Sequence, residues 1–591
     1  MNLYKIPAVT AVLLCLCIHS AHAGGVKAMD GTGPARHYTV SSNFLWRGNV
    51  TTKAGASGFN KCLVILAEYS DAKFSYTATQ FKDMLNKEGY SVNGAKNCAA
   101  SYFNDQFGFR TTFDVVGLVT LPKQRSFYGT NSPVTGNDEY PGTMVAEACQ
   151  TAHDEFKVDF SQYDEDKDGY VDRVFVFYAG EDESQQLVIN GKRQNSEYVW
   201  SHSNTLQNSD YGKTLTLDGV KVNMYACTSE MFRAYSSGTA FEDRIAPIGT
   251  FCHEMMHTFG MPDLYDTDYE KSGGTAGAMW GSTSLLDSGG GNSAGNYPPN
   301  LNAVEREHLS LMKAEDLKAG DYIQYPVNSK EGKIYRIVNP KDSTDYFLIE
   351  YREETGWDKY IGGKGMLVYH IDKGDTRPMH SDIYSKALIP SERWNNYNEV
   401  NCRPGVLTPE GKAEQTVESH QCADLIEADG RVDVNPTPES KSDISGVFFP
   451  QVGATSFGGT AGRIIKFWDG SLPTLCVTNI TLIDGAVSFK VKDTSSPVPP
   501  DPTEPPATED AVYIIIWYSE APYDDCYVKK GTVLDMKVSN SVNASGVDWY
   551  FDGSPIADPR NFTADRSGEI RADIKWPDGT VDNLHKKIKV R

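Results

Sequence analysis

The chain has 591 residues, and a single hydrophobic core stops growing at roughly 250–300 residues, so we expect several domains. It carries 78 acidic against 56 basic residues, which gives a net charge of −22. This charge argues against nucleic acid or an anionic membrane surface as a partner, and it suits a soluble protein that binds cations.

Residues 1–23 have the pattern of a secretory signal peptide. Lys5 supplies the positive charge, residues 7–18 the apolar stretch, and Ala21-His22-Ala23 the small-residue cleavage site. The apolar stretch is too short to cross ~30 Å of hydrocarbon, and no later stretch is long and apolar enough to be a transmembrane segment. We therefore expect a secreted protein, extracellular or at the cell surface.

Residues 59–313 alternate between buried strands and amphipathic helices, which predicts an α/β or α+β domain. The first helix has Thr77 or Thr79 as its N-terminal cap. His202 is interpreted as an ordinary loop histidine. The predicted strands lie at 61–71, 111–122 and 171–182, and the predicted helices at 76–91, 98–110 and 138–156.

Residues 314–492, here called the β region, contain short β runs separated by polar turns, and predict a β-sandwich-like domain. Its last two runs form a hairpin with Asp484-Gly485 at the turn. Residues 493–510 are rich in proline and predict a semi-rigid linker. Residues 511–591 are strand and turn throughout and predict an immunoglobulin-like β domain, which could bind a surface ligand.

The run TFCHEMMHTFG (250–260) contains the H-E-x-x-H pattern. His253 and His257 stand four residues apart, so on a helix both imidazoles project from one side and can share one zinc ion. Glu254 is placed to act as a general base toward a water molecule at the metal. A surface helix that matches this short pattern by chance is the alternative.

The residues after the helix make a chance match less plausible. Gly260 permits a sharp reversal, and Asp263 falls where metzincin-type peptidases carry the third ligand, in the pattern H-E-x-x-H-x-x-G-x-x-H/D. Asp266 is a second carboxylate within reach of the same turn. We favour Asp263 as the third zinc ligand. Asp266 is then the outer partner of a histidine, or it replaces Asp263 as the ligand.

The run HEMMHTFGMPDLYDTD (253–268) resembles the immune inhibitor A-like family of secreted bacterial metallopeptidases, which is related to the metzincins. Three further segments, 298–309, 356–372 and 419–430, resemble the family's later segments, so the likeness covers roughly 59–490. The resemblance implies a zincin-type catalytic domain that cleaves protein or peptide substrates. It also implies that Glu254 delivers a proton to the leaving amine.

The chain departs from this family at one place. Metzincin-like enzymes carry a methionine in a turn beneath the metal, and here Leu286 stands at that position, with Met279 a weaker substitute. A change from methionine to leucine usually costs less than ~1.5 kcal/mol, so we expect a working site. The alternative function is a surface-binding protein with weakened catalysis, whose β domains bind glycan or protein.

The run DEDKDGYVD (164–172) has the front half of an EF-hand-like calcium loop. Its twelfth position is Phe175 rather than glutamate, and a strand follows directly. The alternative is an acidic turn exposed to solvent. The expected ligands of a structural Ca²⁺ are Asp164, Asp166, Asp168, the carbonyl of Tyr170 and Asp172.

Residues 24–58 are polar and lack periodicity, and predict a pro-segment. Asp30 is the only acidic residue between 24 and 60. Its carboxylate could occupy the fourth position of a catalytic zinc ion, which such ions keep open, and so hold the enzyme latent. A terminus that is trimmed without a regulatory role is the alternative.

Overall fold

The computed structural model describes residues 60–590, with gaps at 134–135, 186–187, 190–191, 194–195, 238–239, 266–274, 277–279, 376–378, 382–385, 389, 392–393, 395–401, 404, 408–412, 416–419, 430–443, 461, 495–513, 519–526, 529, 539–544 and 578. These residues fall into two compact units that divide between Ser496 and Pro497, inside the predicted linker. The predicted signal peptide and pro-segment, with Asp30, and also Asp266 and Met279, lie outside the described residues.

The first unit begins with a five-stranded mixed sheet in the order β2-β1-β3-β5-β4. The first four strands of that order are parallel, and the edge strand β4 runs antiparallel to β5. The strands are β1 (Lys61–Glu68), β2 (Thr112–Thr120), β3 (Val174–Tyr178), β4 (His202–Thr205) and β5 (Met224–Ser229).

Helices cover both faces of this sheet, as the alternating pattern predicts. Successive residues of β1 point to opposite faces, so Val64 packs in one buried cluster and Ile65 in another. The first cluster holds α1, α2 and α4, and the second holds α3. The helices are α1 (Ala78–Asn86), α2 (Ala99–Phe107), α3 (Pro141–Phe156), α4 (Ile248–His257) and α5 (Ala303–His308), with short turns at Arg125–Gly129 and Asn292–Gly295.

Local sequence signals explain where these elements begin. Thr77, rather than Thr79, caps α1 through a capping box with Gln80. Pro141 opens α3, where its missing N–H costs nothing. The prediction for His202 was wrong, because this residue opens the edge strand β4 and is buried.

Two further five-stranded sheets form the β region, in the orders β6-β8-β9-β10-β11 and β7-β15-β14-β12-β13. The predicted hairpin is confirmed: Gly485, at φ +66°, completes the turn between the last two strands. The strands are β6 (Glu315–Asp316), β7 (Gly320–Gln324), β8 (Tyr335–Asn339), β9 (Asp342–Arg352), β10 (Gly365–Asp372), β11 (Ala423–Leu425), β12 (Phe457–Gly458), β13 (Arg463–Ile464), β14 (Leu475–Ile483) and β15 (Ala486–Asp493).

Short two-stranded pairs complete the described part of the first unit. They join Val188–Ile189 to Lys192–Arg193, Leu215–Leu217 to Val220–Val222, Met231–Ser237 to Ala240–Ile245, Thr275–Ala276 to Cys402–Arg403, Met379–Ser381 to Lys386–Leu388, and Gly405–Leu407 to Ala413–Gln415.

Strands β9 and β10 are buried on both faces. Along β10, Leu367 and Tyr369 pack in the same cluster as α4, whereas Met366 and Val368 pack against residues of the second sheet of the β region. On β9, Leu348 faces the α4 cluster in the same way. The hydrophobic core around α4 therefore includes residues on both sides of position 313.

The second unit, after the linker, consists of a three-stranded and a five-stranded sheet around its own small core. None of the helices in the described part of the chain is long and apolar enough to cross a membrane. The strands of the second unit are Ile514–Tyr518, Tyr527–Val528, Thr532–Val538, Gly546–Phe551, Ser554–Ile556, Phe562–Ala564, Gly568–Lys575 and Val581–Val590.

The shared core predicts that a chain ending at residue 314 will not fold cooperatively. Removal of the β region exposes the side chains that Leu348, Leu367 and Tyr369 cover. Each large apolar side chain left exposed costs about 1.5–3 kcal/mol, and total stabilities are only about 5–15 kcal/mol. We expect a broad thermal melt and binding of a hydrophobic dye, whereas a chain ending at residue 494 should melt sharply. A sharp melt of the shorter chain would contradict the shared core.

Candidate metal centre

Helix α4 carries two kinds of residue on opposite sides. Its apolar residues recur at the spacing of one helical stripe and are buried in the core. The other side carries His253 and Glu254, each only 2% exposed, and His257. Buried polar groups need partners, and this side of the helix faces other parts of the chain. The members of the apolar stripe are Ile248, Phe251, Cys252, Met255 and Met256.

Three donor atoms meet beside this helix. The Nε2 atoms of His253 and His257 lie 3.1 Å apart, and each lies 3.2 Å from Oδ1 of Asp263. Gly260, at φ +84°, reverses the chain after the helix and so brings Asp263 back to the two rings. The structure thus brings together the three residues that the sequence predicts as ligands.

The spacing of these atoms fits a tetrahedral metal ion. An ion about 2.0–2.1 Å from each ligand separates its ligands by about 3.3 Å. The observed separations of 3.1–3.2 Å are close to this value. Two neutral imidazoles and one carboxylate are also donors that suit a divalent transition metal. His253, His257 and Asp263 could therefore hold one ion, with a fourth position open.

Two backbone carbonyls fix the orientation of the histidine rings. Nδ1 of His253 donates to the carbonyl of Leu285 at 2.7 Å, and Nδ1 of His257 donates to that of Met261 at 2.7 Å. A carbonyl oxygen only accepts, so each Nδ1 carries the proton and each Nε2 keeps a lone pair for a metal. The sequence offered Asp266 as an outer partner of a histidine; this residue lies outside the described residues, so its role stays a prediction.

Glu254 has a carboxyl oxygen, Oε1, that is buried and has no hydrogen-bond partner among the described residues. Burial raises the pKa of this carboxyl well above its usual range, against the nearby His257 charge, which lowers it. A positive ion at the three donors would favour the charged carboxylate instead. The free oxygen is consistent with a proton acceptor that faces a reactant.

The segment that follows the Leu285 carbonyl approaches the backbone of α4 closely. A Cβ added to Gly249, in α4, would lie 1.8 Å from the carbonyl oxygen of Gly290. Only glycine permits this approach, because any Cβ at position 249 would overlap the Gly290 carbonyl. Sequence reasoning missed this contact, although the run Gly289-Gly290-Gly291 is the kind of signal that indicates a close backbone approach.

Leu286 stands where the resemblance to metzincin-like enzymes implies a methionine. Its side chain is fully buried in the core around α4, and its carbonyl accepts from Leu264 N at 2.8 Å. That contact ties the turn to the segment that holds Asp263. Its role in the metal centre beyond this packing stays a prediction.

Three of the five predicted calcium residues lie close together. One oxygen from each of Asp164, Asp166 and Asp168 lies within 4.8 Å of the others. Asp164 is buried, and its carboxylate accepts from the backbone N–H groups of Asp168 and Gly169. Asp172 accepts from Glu165 N instead, and burial raises its pKa to about 6.

His202 is buried. His202 bonds the Trp200 carbonyl at 2.7 Å and the Tyr225 hydroxyl at 3.0 Å, and burial lowers its pKa to about 4. These contacts are those of a histidine held in a core.

The arrangement is typical of a metallopeptidase centre: two histidines four apart on a buried helix, a returning carboxylate and an adjacent glutamate, beside a mixed five-stranded sheet. The comparisons with known proteins agree. Residues 49–314 match the model of the immune inhibitor A peptidase M6 catalytic domain. This match confirms, for residues 49–314, the resemblance that the motif indicated.

Two curated relatives have names that agree with this match: one is named a metalloprotease and the other immune inhibitor A. Pre-pro-metalloprotease PrtV of Vibrio cholerae serotype O1 is 25% identical over 356 residues, which cover 54% of this chain and 36% of the relative. Immune inhibitor A of Bacillus thuringiensis subsp. alesti is 26% identical over 253 residues, covering 36% of this chain and 34% of the relative. The chain thus spans about a third of the length of these relatives.

The donor set predicts a pH dependence of metal binding. In the metal-free protein, burial lowers the pKa of His257, but the Asp263 charge outweighs it and raises the pKa to about 9. The protonated pair stabilises the metal-free fold fully below pH ~6.5, and this contribution is lost as the pH rises through 9. A metal must displace that proton, so affinity should rise about tenfold per pH unit between pH 6 and 8.

Competition with a chromogenic chelator at several pH values measures this slope. The variant Asp263→Asn, which lacks the charge that raises the His257 pKa, should bind more weakly and with a shallower slope. An affinity of the wild type that is constant from pH 6 to 8 would contradict the His257 assignment.

Proposed function

We propose that this chain is a secreted zinc endopeptidase that hydrolyses protein or peptide substrates. The observation that carries the proposal is the convergence of His253, His257 and Asp263 at 3.1–3.2 Å beside the unpartnered oxygen of Glu254. Zinc is the metal that this donor set most commonly holds in peptidases. The family match and the two relatives support peptide hydrolysis as the reaction.

Zinc held by these three donors would supply Lewis acidity toward the attacking water and the peptide carbonyl. Glu254 accepts the proton of the water during attack and delivers it to the leaving amine. Its burial supports this role, because burial raises the pKa of the carboxyl and so makes the carboxylate a stronger proton acceptor. His253 and His257 keep their Nε2 lone pairs available because the Leu285 and Met261 carbonyls hold their Nδ1 protons.

Around this centre we infer a zincin-type catalytic domain at 59–313, a β-sandwich domain at 314–492 and an immunoglobulin-like domain at 511–591. The two sheets of the β region share one buried cluster, which supports the sandwich. The signal peptide and pro-segment stay predictions. A surface ligand of the last domain is a further proposal without a defined site.

The competing function is a surface-binding protein with weakened catalysis. The observation that favours it is Leu286 in place of the methionine of related enzymes. Its side chain is nonetheless fully buried, as a packed substitute of similar volume would be. A direct measurement of catalysis separates the two functions.

Replacement of Glu254 by glutamine should remove the base and leave the donor set intact. We expect casein hydrolysis to fall by at least about 100-fold, the usual contribution of a general base, while one zinc ion per chain stays bound. His253→Ala is the matched comparison and should lose zinc as well as activity. Glu254→Gln activity within threefold of the wild type would overturn the role of Glu254, and an inactive wild type with bound zinc would favour the surface-binding function.

We infer that the acidic turn (Asp164–Asp172) binds a structural Ca²⁺ through Asp164, Asp166, Asp168, the Tyr170 carbonyl and Asp172. The close approach of three carboxylates supports this, because like charges at this spacing repel unless a cation compensates them. The turn leads directly into Arg173, whose guanidinium lies 3.9 Å from the ring centroid of Phe259. Arg173, the residue directly after the turn, thus contacts the segment that follows α4.

Calcium should then stabilise the first unit by mass action, by about 2.7 kcal/mol at a hundredfold excess over the dissociation constant. Thermal melts with calcium or a chelator measure the effect in wild type and in Asp166→Ala, which should not respond. Asp321→Ala, which removes an exposed aspartate from β7, is the control and should respond like the wild type. Equal responses in all three proteins would show that the acidic turn binds no calcium.

A further inference from the structure

Arg352, the last residue of β9, is fully buried and has a partner at every nitrogen of its guanidinium. Nε and Nη2 donate to the two carboxylate oxygens of Asp358 at 2.9 and 2.6 Å. Nη2 also donates to the Asn300 carbonyl at 3.0 Å, and Nη1 to the Thr283 carbonyl at 3.2 Å. Nη1 further approaches Glu350 at 3.4 Å.

One of these partners, Thr283, belongs to the segment that supports the candidate metal centre. Thr283 begins the short run 283–286, here called the Leu285 turn. The Leu285 carbonyl in this turn accepts the hydrogen bond from His253 Nδ1. Arg352 therefore lies two peptide units from the carbonyl that orients a candidate metal ligand. It reaches the turn from the β region, beyond the residues that match the family's catalytic-domain model.

Glu305 holds the same turn from a second direction. It is fully buried, and its Oε1 accepts from the Ser284 hydroxyl at 2.7 Å and from Leu286 N at 3.3 Å. Its other oxygen accepts from Asn302 N at 2.7 Å in the capping box of α5. The turn is thus bonded at residues 283, 284 and 286, on both sides of the Leu285 carbonyl.

Burial of a charged network is a costly way to gain stability alone. An apolar cluster of similar volume is often as stable as a buried ion pair, whereas a planar guanidinium fixes the direction of each partner. Here Arg352 fixes the direction of two backbone carbonyls, those of Thr283 and Asn300. The network is therefore suited to hold a backbone in one position.

We propose that Arg352 and Glu305 are positioning residues for the metal centre, which hold the Leu285 turn so that its carbonyl orients His253. It follows that the β region is part of the peptidase site. The effect of this positioning on catalysis rests on the proposed function. The position of the turn can nevertheless be measured in the metal-free protein.

The test compares Arg352→Lys and Ser284→Ala with the wild type in the full chain. Lysine keeps the charge but loses the planar fork, and alanine removes only the hydroxyl that donates to Glu305. The control is Asp345→Asn, which alters a fully buried carboxylate on the same strand that bonds His370 and not the turn. Zinc affinity is measured by chelator competition, and exchange of the Leu286 amide is measured in the metal-free proteins.

We expect Arg352→Lys and Ser284→Ala to weaken zinc binding 10- to 100-fold, the usual effect of losing an outer partner. The Leu286 amide should exchange faster in both, and kcat should fall more than KM rises. Asp345→Asn should lower the melting temperature without changing zinc affinity. If Arg352→Lys does not fold, Ser284→Ala decides the question.

Folded variants with zinc affinity within threefold of the wild type and unchanged Leu286 exchange would overturn the positioning role. A zinc loss in Asp345→Asn equal to that in Arg352→Lys would also overturn it, because the effect would then follow general stability. A wild type that binds no zinc would instead refute the proposed function, and the exchange measurement would still decide whether these residues hold the turn.

Discussion

The hydrogen bond from His253 Nδ1 to the Leu285 carbonyl is the contact on which the metal centre depends. Helical spacing alone places two imidazoles on one side of α4, but it does not decide which ring nitrogen faces a metal. The Leu285 carbonyl decides which nitrogen faces the metal, because it accepts a hydrogen bond from Nδ1 and so leaves Nε2 with its lone pair. The residues on either side of this carbonyl are bonded by Arg352 and Glu305, and the segment that follows it approaches α4 closely where Gly249 meets Gly290.

Helix α4 is buried on both its apolar and its polar sides, and this determines the electrostatics of the centre. The buried carboxyl groups of Asp263 and Glu254 stand close to each other, with no solvent to screen them. In the metal-free protein, protons compensate this charge, since His257 has a raised pKa and so does Glu254. A divalent cation and these protons are therefore alternative means of neutralising the same carboxylates, and they compete for one place.

The sequence predicts those parts of the centre that side chains carry. His253, Glu254, His257 and Asp263 are recognisable because their chemistry and spacing are written in residue types. The outer partners of the histidines are backbone carbonyls, which every residue possesses, so no residue pattern marks them. Sequence reasoning could propose only a side chain, Asp266, for this role, and that proposal stays a prediction.

The same limit applies to the fold. The strands and helices around β1 follow from periodicity, and the capping box of α1 from Thr77 and Gln80. The boundary at 313 follows from a change of composition, but composition does not show which surfaces pack together. The continuous apolar run of β10, Gly365–Asp372, without the alternation of a half-exposed strand, was the available signal of burial on both faces.

Because β9 and β10 lie between α4 and the second sheet of the β region, the centre is built from contacts that are very distant along the chain. Thr283 and Arg352 are separated by 69 residues, and the strands that close the second sheet end only at Asp493. Such non-local contacts form late in folding, because loop closure must come first. A nascent chain that has passed α4 therefore carries the candidate metal ligands before it carries the framework that orients them, and the proposed peptidase activity would be delayed until most of the polypeptide has been made.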